Sequence, residues 1–189
     1  YTATAGTLLL KDDKDEATAS MFYVAYTQDG ADLNHRPVTF LYNGGPGSAT
    51  IWLHMGSVGP VRVETTDAAP TAAAPYSLVQ NQYSLLDKTD LVFIDAIGTG
   101  YSRAVGKSKD KDFWGVDQDG KAFTQFIQRY LSKNGRWNSP KYLMGESYGT
   151  TRSALLSNML SDAGVALNGV ILVSSILDFG TESFNVGND

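Results

Sequence analysis

The chain has 189 residues, 42% of them hydrophobic, with no cysteine and a formal net charge of −5 at pH 7. That length can bury a real core, and the missing cysteines exclude disulfides, thiolate chemistry and cysteine metal sites. No basic cluster argues for nucleic acid, no apolar run of about 18 residues predicts a membrane span, and no signal-peptide pattern stands at Tyr1.

Residues 7–10 and 20–26 read as strands of an opening hairpin, joined by the charge run Lys11-Asp12-Asp13-Lys14-Asp15-Glu16. That run lacks calcium-loop spacing and is a solvated turn. His35 lies in a polar turn ahead of Val38-Thr39-Phe40-Leu41-Tyr42, a buried-strand pattern, and reads as surface. The strand runs into Asn43-Gly44-Gly45-Pro46-Gly47-Ser48, and a helix-like stretch with Trp52, Leu53, His54 and Met55 follows. Residues 67–75, rich in Ala, Thr and Pro, read as a mobile surface loop. Leu91-Val92-Phe93-Ile94 is a continuous apolar strand, as in a sheet covered on both faces. Gly98-Thr99-Gly100 beyond it invites a dinucleotide reading. Arg103 stands where a third glycine is needed and no helix opens there, so the loop is assigned to the border of a cleft instead.

Phe113, Val116, Phe123, Phe126, Ile127, Tyr130 and Leu131 recur at helical spacing and predict an amphipathic helix whose aromatics are core. Residues 142–144 predict a strand, 153–160 a helix and 170–173 another strand. This alternation predicts a mainly parallel sheet with helices on both faces, in one domain spanning residues 1–189.

Gly145-Glu146-Ser147-Tyr148-Gly149 sits between the strand at 142–144 and the helix that follows. Strand, G-x-S-x-G, helix is the context of a nucleophile elbow, where a turn too tight for flanking side chains holds a serine hydroxyl out of the sheet. Acyl transfer also needs two backbone N–H groups aimed at the developing oxyanion. One is expected from Tyr148, the other from the Gly44-Gly45 loop, where missing side chains let a substrate approach.

Three stretches resemble the serine carboxypeptidases, a branch of the α/β-hydrolases: Asn43-Gly44-Gly45-Pro46-Gly47-Ser48 with Gly59-Pro60, Asp95-Ala96-Ile97-Gly98-Thr99-Gly100-Tyr101-Ser102, and Gly145-Glu146-Ser147-Tyr148-Gly149. The lack of cysteine and the segment Trp52-Leu53-His54-Met55-Gly56 look like the bacterial members. The resemblance implies that Ser147 is the nucleophile, that the amides of Gly45 and Tyr148 form the oxyanion hole, and that Asn43 and Glu146 hydrogen-bond the C-terminal carboxylate of a peptide. Gly44 belongs to the same substrate-binding loop. By spacing, Ser57 stands where many members carry a second glutamate of that clamp.

In α/β-hydrolases the histidine comes last in chain order, so neither His35 nor His54 is expected to be the base. Asp178 follows a strand, but the family draws its acid from a later one, and Asp178 reads as a loop residue. The resemblance therefore implies an N-terminal part of a catalytic domain, ending before the cap insertion and the Asp and His. It implies a serine carboxypeptidase that needs no metal or cofactor, acts on peptides with a free C-terminus, depends on its C-terminal segment, and has a secreted or periplasmic address. An esterase or acyltransferase on the same scaffold is the rival, and an inactive piece lacking its other half is the third reading.

Overall fold

A computed structural model describes residues 1–66, 69–71 and 73–182. Strands β1 (Thr2–Lys11) and β2 (Ala17–Thr27) form the opening hairpin, followed by β3 (Val38–Tyr42). Then come α1 (Ile51–Leu53), which runs on as a π-helical turn over His54–Val58, and the short strands β4 (Val61–Val63) and β5 (Leu78–Gln80). Next are β6 (Asp90–Ile94), β7 (Arg103–Ala104), α2 (Val116–Lys133), β8 (Lys141–Glu146), α3 (Tyr148–Asp162) and β9 (Gly169–Val173). One sheet runs in the order β1-β2-β6-β3-β8-β9, with β7 paired beside β2. β6, β3, β8 and β9 are parallel, and β1 and β2 are antiparallel additions.

The apolar runs of β3 and β6 resolve into two faces because strand side chains alternate. Phe40, Tyr42, Val92 and Ile94 face α2 and α3, which bring Phe123, Phe126, Tyr130 and Leu156. Leu41, Leu91, Phe93 and Met144 face the other way, against Leu53 with Val58, Leu85 and Leu86. Helices thus lie on both faces, but unequally. The long ones share one face, and short helical turns cover the other.

The expected strands are present; β3 has the expected bounds and the others are longer than the patterns suggested, β1 above all. Helix α3 opens at Tyr148, directly after the serine, rather than at 153. Phe113 lies in a 3₁₀ turn (Asp110–Phe113) ahead of α2, and Val116 is exposed, so the buried stripe begins deeper in the helix. β4, β5 and β7 were not anticipated, since two or three residues give no periodicity to read. Of the 67–75 loop, residues 69–71 and 73–75 are exposed, while 67, 68 and 72 lie outside the described residues, as do 183–189.

At the N-terminal ends of the parallel strands, Asp90 is fully buried between two arginines. Arg36 Nε donates to one carboxylate oxygen at 3.0 Å and Arg136 Nη1 to the other at 2.5 Å. Arg136 Nη2 also donates to the carbonyls of Arg36 and Pro37, 2.8 and 3.2 Å away. Beyond β8, β9 forms a sheet edge among the described residues, with Val170, Ile171 and Leu172 each about two-fifths exposed.

Candidate active site

Ser147 joins β8 to α3 with φ 57° and ψ −124°, a backbone conformation that costs a residue with a side chain about 1–3 kcal/mol. Its neighbours hold it there. Ser147 N–H donates to the Val173 carbonyl at 3.0 Å, and the Ser147 carbonyl accepts from Thr150 N–H at 2.8 Å and Thr150 Oγ1 at 2.7 Å. Both motif glycines are required by close approach. A Cβ on Gly145 would strike the Gly149 carbonyl, and one on Gly149 would lie 2.9 Å from the Tyr42 carbonyl oxygen. The hydroxyl therefore stands at the N-terminus of a 15-residue helix, where the first amides and the helix dipole favour negative charge.

The loop after β3 lies flush against this turn. A Cβ on Gly44 would run into the Tyr148 amide nitrogen and lie 2.7 Å from both the Glu146 carbonyl oxygen and the Gly149 amide nitrogen. Gly45 follows at φ 107°, a left-handed value that a side chain resists, and Ser48 N–H closes the loop on the Gly44 carbonyl at 3.1 Å. The structure thus brings together Asn43, Gly44, Gly45, Glu146, Ser147 and Tyr148, six residues a hundred positions apart in two groups.

Asn43 is buried, and its side chain is locked at both ends. Oδ1 accepts from Leu53 N–H at 2.9 Å, and Nδ2 donates to Glu146 Oε2 at 2.9 Å. An amide nitrogen carries two donors, so one N–H of Asn43 is left for a ligand beside the half-buried Glu146. Ser57 is exposed on the π-helical turn, where its carbonyl accepts from Asn81 Nδ2 at 2.6 Å.

Neither histidine serves the serine. His35 is exposed, and its Nδ1 bonds Asp32 at 2.7 Å within the turn. His54 Nε2 bonds the Tyr26 hydroxyl at 2.7 Å, and the ring stacks on Phe93 at 4.6 Å, on the sheet face opposite α2 and α3. Burial holds its imidazole below the ordinary 6.5, while the Asp95 charge acts in the other direction. Asp178 Oδ1 accepts from Gly180 N–H at 2.8 Å, a loop contact.

The roles of three residues, Asp95, Asp119 and Arg152, were not read from the sequence. Asp95 Oδ1 accepts from Thr50 N–H at 2.8 Å and Oδ2 from Tyr101 N–H at 3.2 Å, which fastens the loop after β6 to the start of α1. Asp119 and Arg152 form a buried ion pair beside the elbow, on the wall of the cavity that Tyr148 also lines. A signal for both was present, because Asp119 lies four residues before Phe123 and Arg152 four before Leu156, each on a buried helical stripe. Gly98, Thr99 and Tyr148 help line a cavity of about 350 Å³, so the Gly98-Thr99-Gly100 loop does border a cleft. Among the described residues, no group of three His, Asp or Glu gathers as a metal site, and no helix is long and apolar enough to cross a membrane.

Residues 5–180 match the profile of the serine carboxypeptidase family. A pheromone-processing carboxypeptidase of Saccharomyces cerevisiae, KEX1, is 29% identical over 145 residues, covering 72% of this chain and 19% of its own length. A crystal structure of KEX1(delta)p, a prohormone-processing carboxypeptidase of the same yeast, superposes with TM-score 0.69 at 24% identity, covering 90% of this chain and 38% of that one. The peroxisomal alpha-beta-hydrolase Lpx1, also from S. cerevisiae, has TM-score 0.48 at 11% identity, over 90% of this chain and 42% of its own. The chain spans about a fifth of the length of the curated relatives it matches. With its strand–serine–helix elbow on a mostly parallel sheet, the fold is that of the α/β-hydrolases.

Proposed function

The chain belongs to the serine carboxypeptidase family, and on that premise we propose that it cleaves the last peptide bond of peptides with a free C-terminus, through an acyl-enzyme on Ser147. The observation that carries this reading is the Asn43–Glu146 hydrogen bond, set beside a strained serine at a helix N-terminus. In the proposed reaction the Ser147 hydroxyl loses its proton to a base and attacks the terminal peptide carbonyl. The carbonyl oxygen becomes an oxyanion that accepts from the amides of Gly45 and Tyr148, and collapse expels the amine of the last residue. Water then releases the acyl group. Asn43 Nδ2 donates to the substrate carboxylate, and Glu146 adds a donor in its protonated form.

The base is proposed to come from outside residues 1–189, because the chain's two histidines are engaged elsewhere, His54 with Tyr26 and His35 with Asp32. Without it the serine hydroxyl stays un-ionised and weakly nucleophilic, so residues 1–189 alone are expected to show no peptidase turnover. A secreted or periplasmic address accompanies this reading, and cell fractionation tests it.

The deciding experiment compares kcat/KM for matched acid and amide peptides on the intact protein. Loss of a hydrogen bond to a charged group costs about 1.5–3 kcal/mol, so the free acid is expected to be favoured by about 10- to 150-fold. Asn43→Ala removes most of that advantage while sparing small esters that have no carboxylate. Equal values for acid and amide on the wild type would move the assignment to an esterase or acyltransferase.

A further inference from the structure

Arg152 lies five residues beyond Ser147 on α3, yet only 2% of it is exposed. Three sets of partners account for a buried guanidinium. Its Nε donates to Asp119 Oδ2 of α2 at 2.6 Å, with Nη2 a further 3.4 Å from Oδ1. Its Nη1 donates to the backbone carbonyl of Asn43 at 2.9 Å. The rings of Tyr42, Phe123 and Tyr148 surround it at 5.4, 4.5 and 5.2 Å. Burial pushes the Asp119 carboxyl upward, and the Arg152 charge pulls it the other way.

The Asn43 carbonyl shares its peptide plane with the Gly44 amide, so a donor that fixes this oxygen fixes the direction in which the Gly44-Gly45 loop sets out. Arg152 rides on the same helix as Tyr148, whose amide is the other proposed oxyanion donor. The guanidinium therefore braces one donor-bearing segment against the other. We propose that Arg152, held by Asp119, is a positioning residue that sets the spacing of the two oxyanion amides by gripping the Asn43 carbonyl. This rests on the serine-hydrolase reading above, though not on the preference for a C-terminal carboxylate.

Arg152→Met alone leaves Asp119 buried and unpaired, and is expected to lose both stability and activity. The discriminating protein is the double variant Arg152→Met with Asp119→Leu. Apolar replacement of a whole buried pair is often neutral for stability, and it leaves the three rings packed. A small ester with no carboxylate is the substrate, assayed on the intact protein with the thermal midpoint measured beside it. The double variant leaves the Asn43 carbonyl without its donor, so it is expected to melt somewhat below the wild type yet stay folded under assay, with kcat per folded molecule about 100-fold lower and KM little changed, as a misplaced catalytic geometry gives. A double variant with wild-type kcat, or with a loss no larger than its unfolded fraction, would overturn the proposal. Labelling of wild-type Ser147 by a fluorophosphonate separates the two ideas. An unlabelled Ser147 overturns the serine-hydrolase reading itself, whereas a labelled wild type with a fully active double variant overturns only the role of Arg152.

Discussion

The two ends of the parallel strands each bury arginine against aspartate, and they use that chemistry differently. At the N-terminal ends, Arg36 and Arg136 close on Asp90 and on the carbonyls that lead into β3. None of Arg36, Asp90 and Arg136 has a positive φ, and the cluster staples strand starts together. At the C-terminal ends, Arg152 and Asp119 sit beside a serine in a costly backbone conformation, against glycines with no room for a side chain. The contrast teaches that a buried ion pair does not by itself mark a functional site. What marks one is the strained, trimmed backbone that the pair supports.

Four substitutions can break or sharpen this contrast. Ser147→Ala removes the nucleophile and leaves every backbone bond around it, so kcat in the intact protein is expected to fall by about 10⁶-fold with the fold retained. Steady-state kinetics with circular dichroism checks this, and surviving turnover would sink the assignment. Gly44→Ala drives a Cβ into the Tyr148 amide and moves one half of the proposed oxyanion hole. Loss of one such donor costs about 10²- to 10³-fold in kcat, measurable on small esters. A fully active Gly44→Ala would mean that the two loops need not touch.

Asp90→Asn is the counterpart at the other end. It leaves two buried guanidinium groups without a carboxylate, so stability should fall by about 3–5 kcal/mol by urea unfolding. Turnover per folded molecule should stay at the wild-type value. A selective loss of kcat would erase the distinction between the two ends.

The smallest effect belongs to His54. Its folded pKa lies below 6.5, so the unfolded chain binds more protons as pH falls past that value. The stability contribution is present above about pH 6.5 and is lost as pH drops toward the folded pKa. His54→Gln should flatten the dependence of thermal midpoint on pH below about pH 6.5. An unchanged slope would show that His54 titrates alike in both states.

Much was legible in the sequence because its signals are local. Glycine at 145 and 149 around Ser147, between an apolar strand and a helical stripe, specifies the elbow, since no other residue fits so tight a turn. The alternation of apolar strands and amphipathic helices specifies the sheet class, and the order of the histidines relative to Ser147 already told against either as base. Other features only the tertiary structure could decide. The boundary of α3 at Tyr148 depends on the Ser147 backbone being held by Val173 and Thr150, contacts that no periodicity reports. The Asn43–Glu146 bond spans 103 residues and the Arg152–Asn43 bond 109. Such pairs exist only because parallel β3 and β8 lie side by side, with Tyr42 level with Gly145. Local chemistry writes the turn and the helix into neighbouring residues, whereas the meeting of two loops is fixed by strand register, which belongs to the folded sheet as a whole.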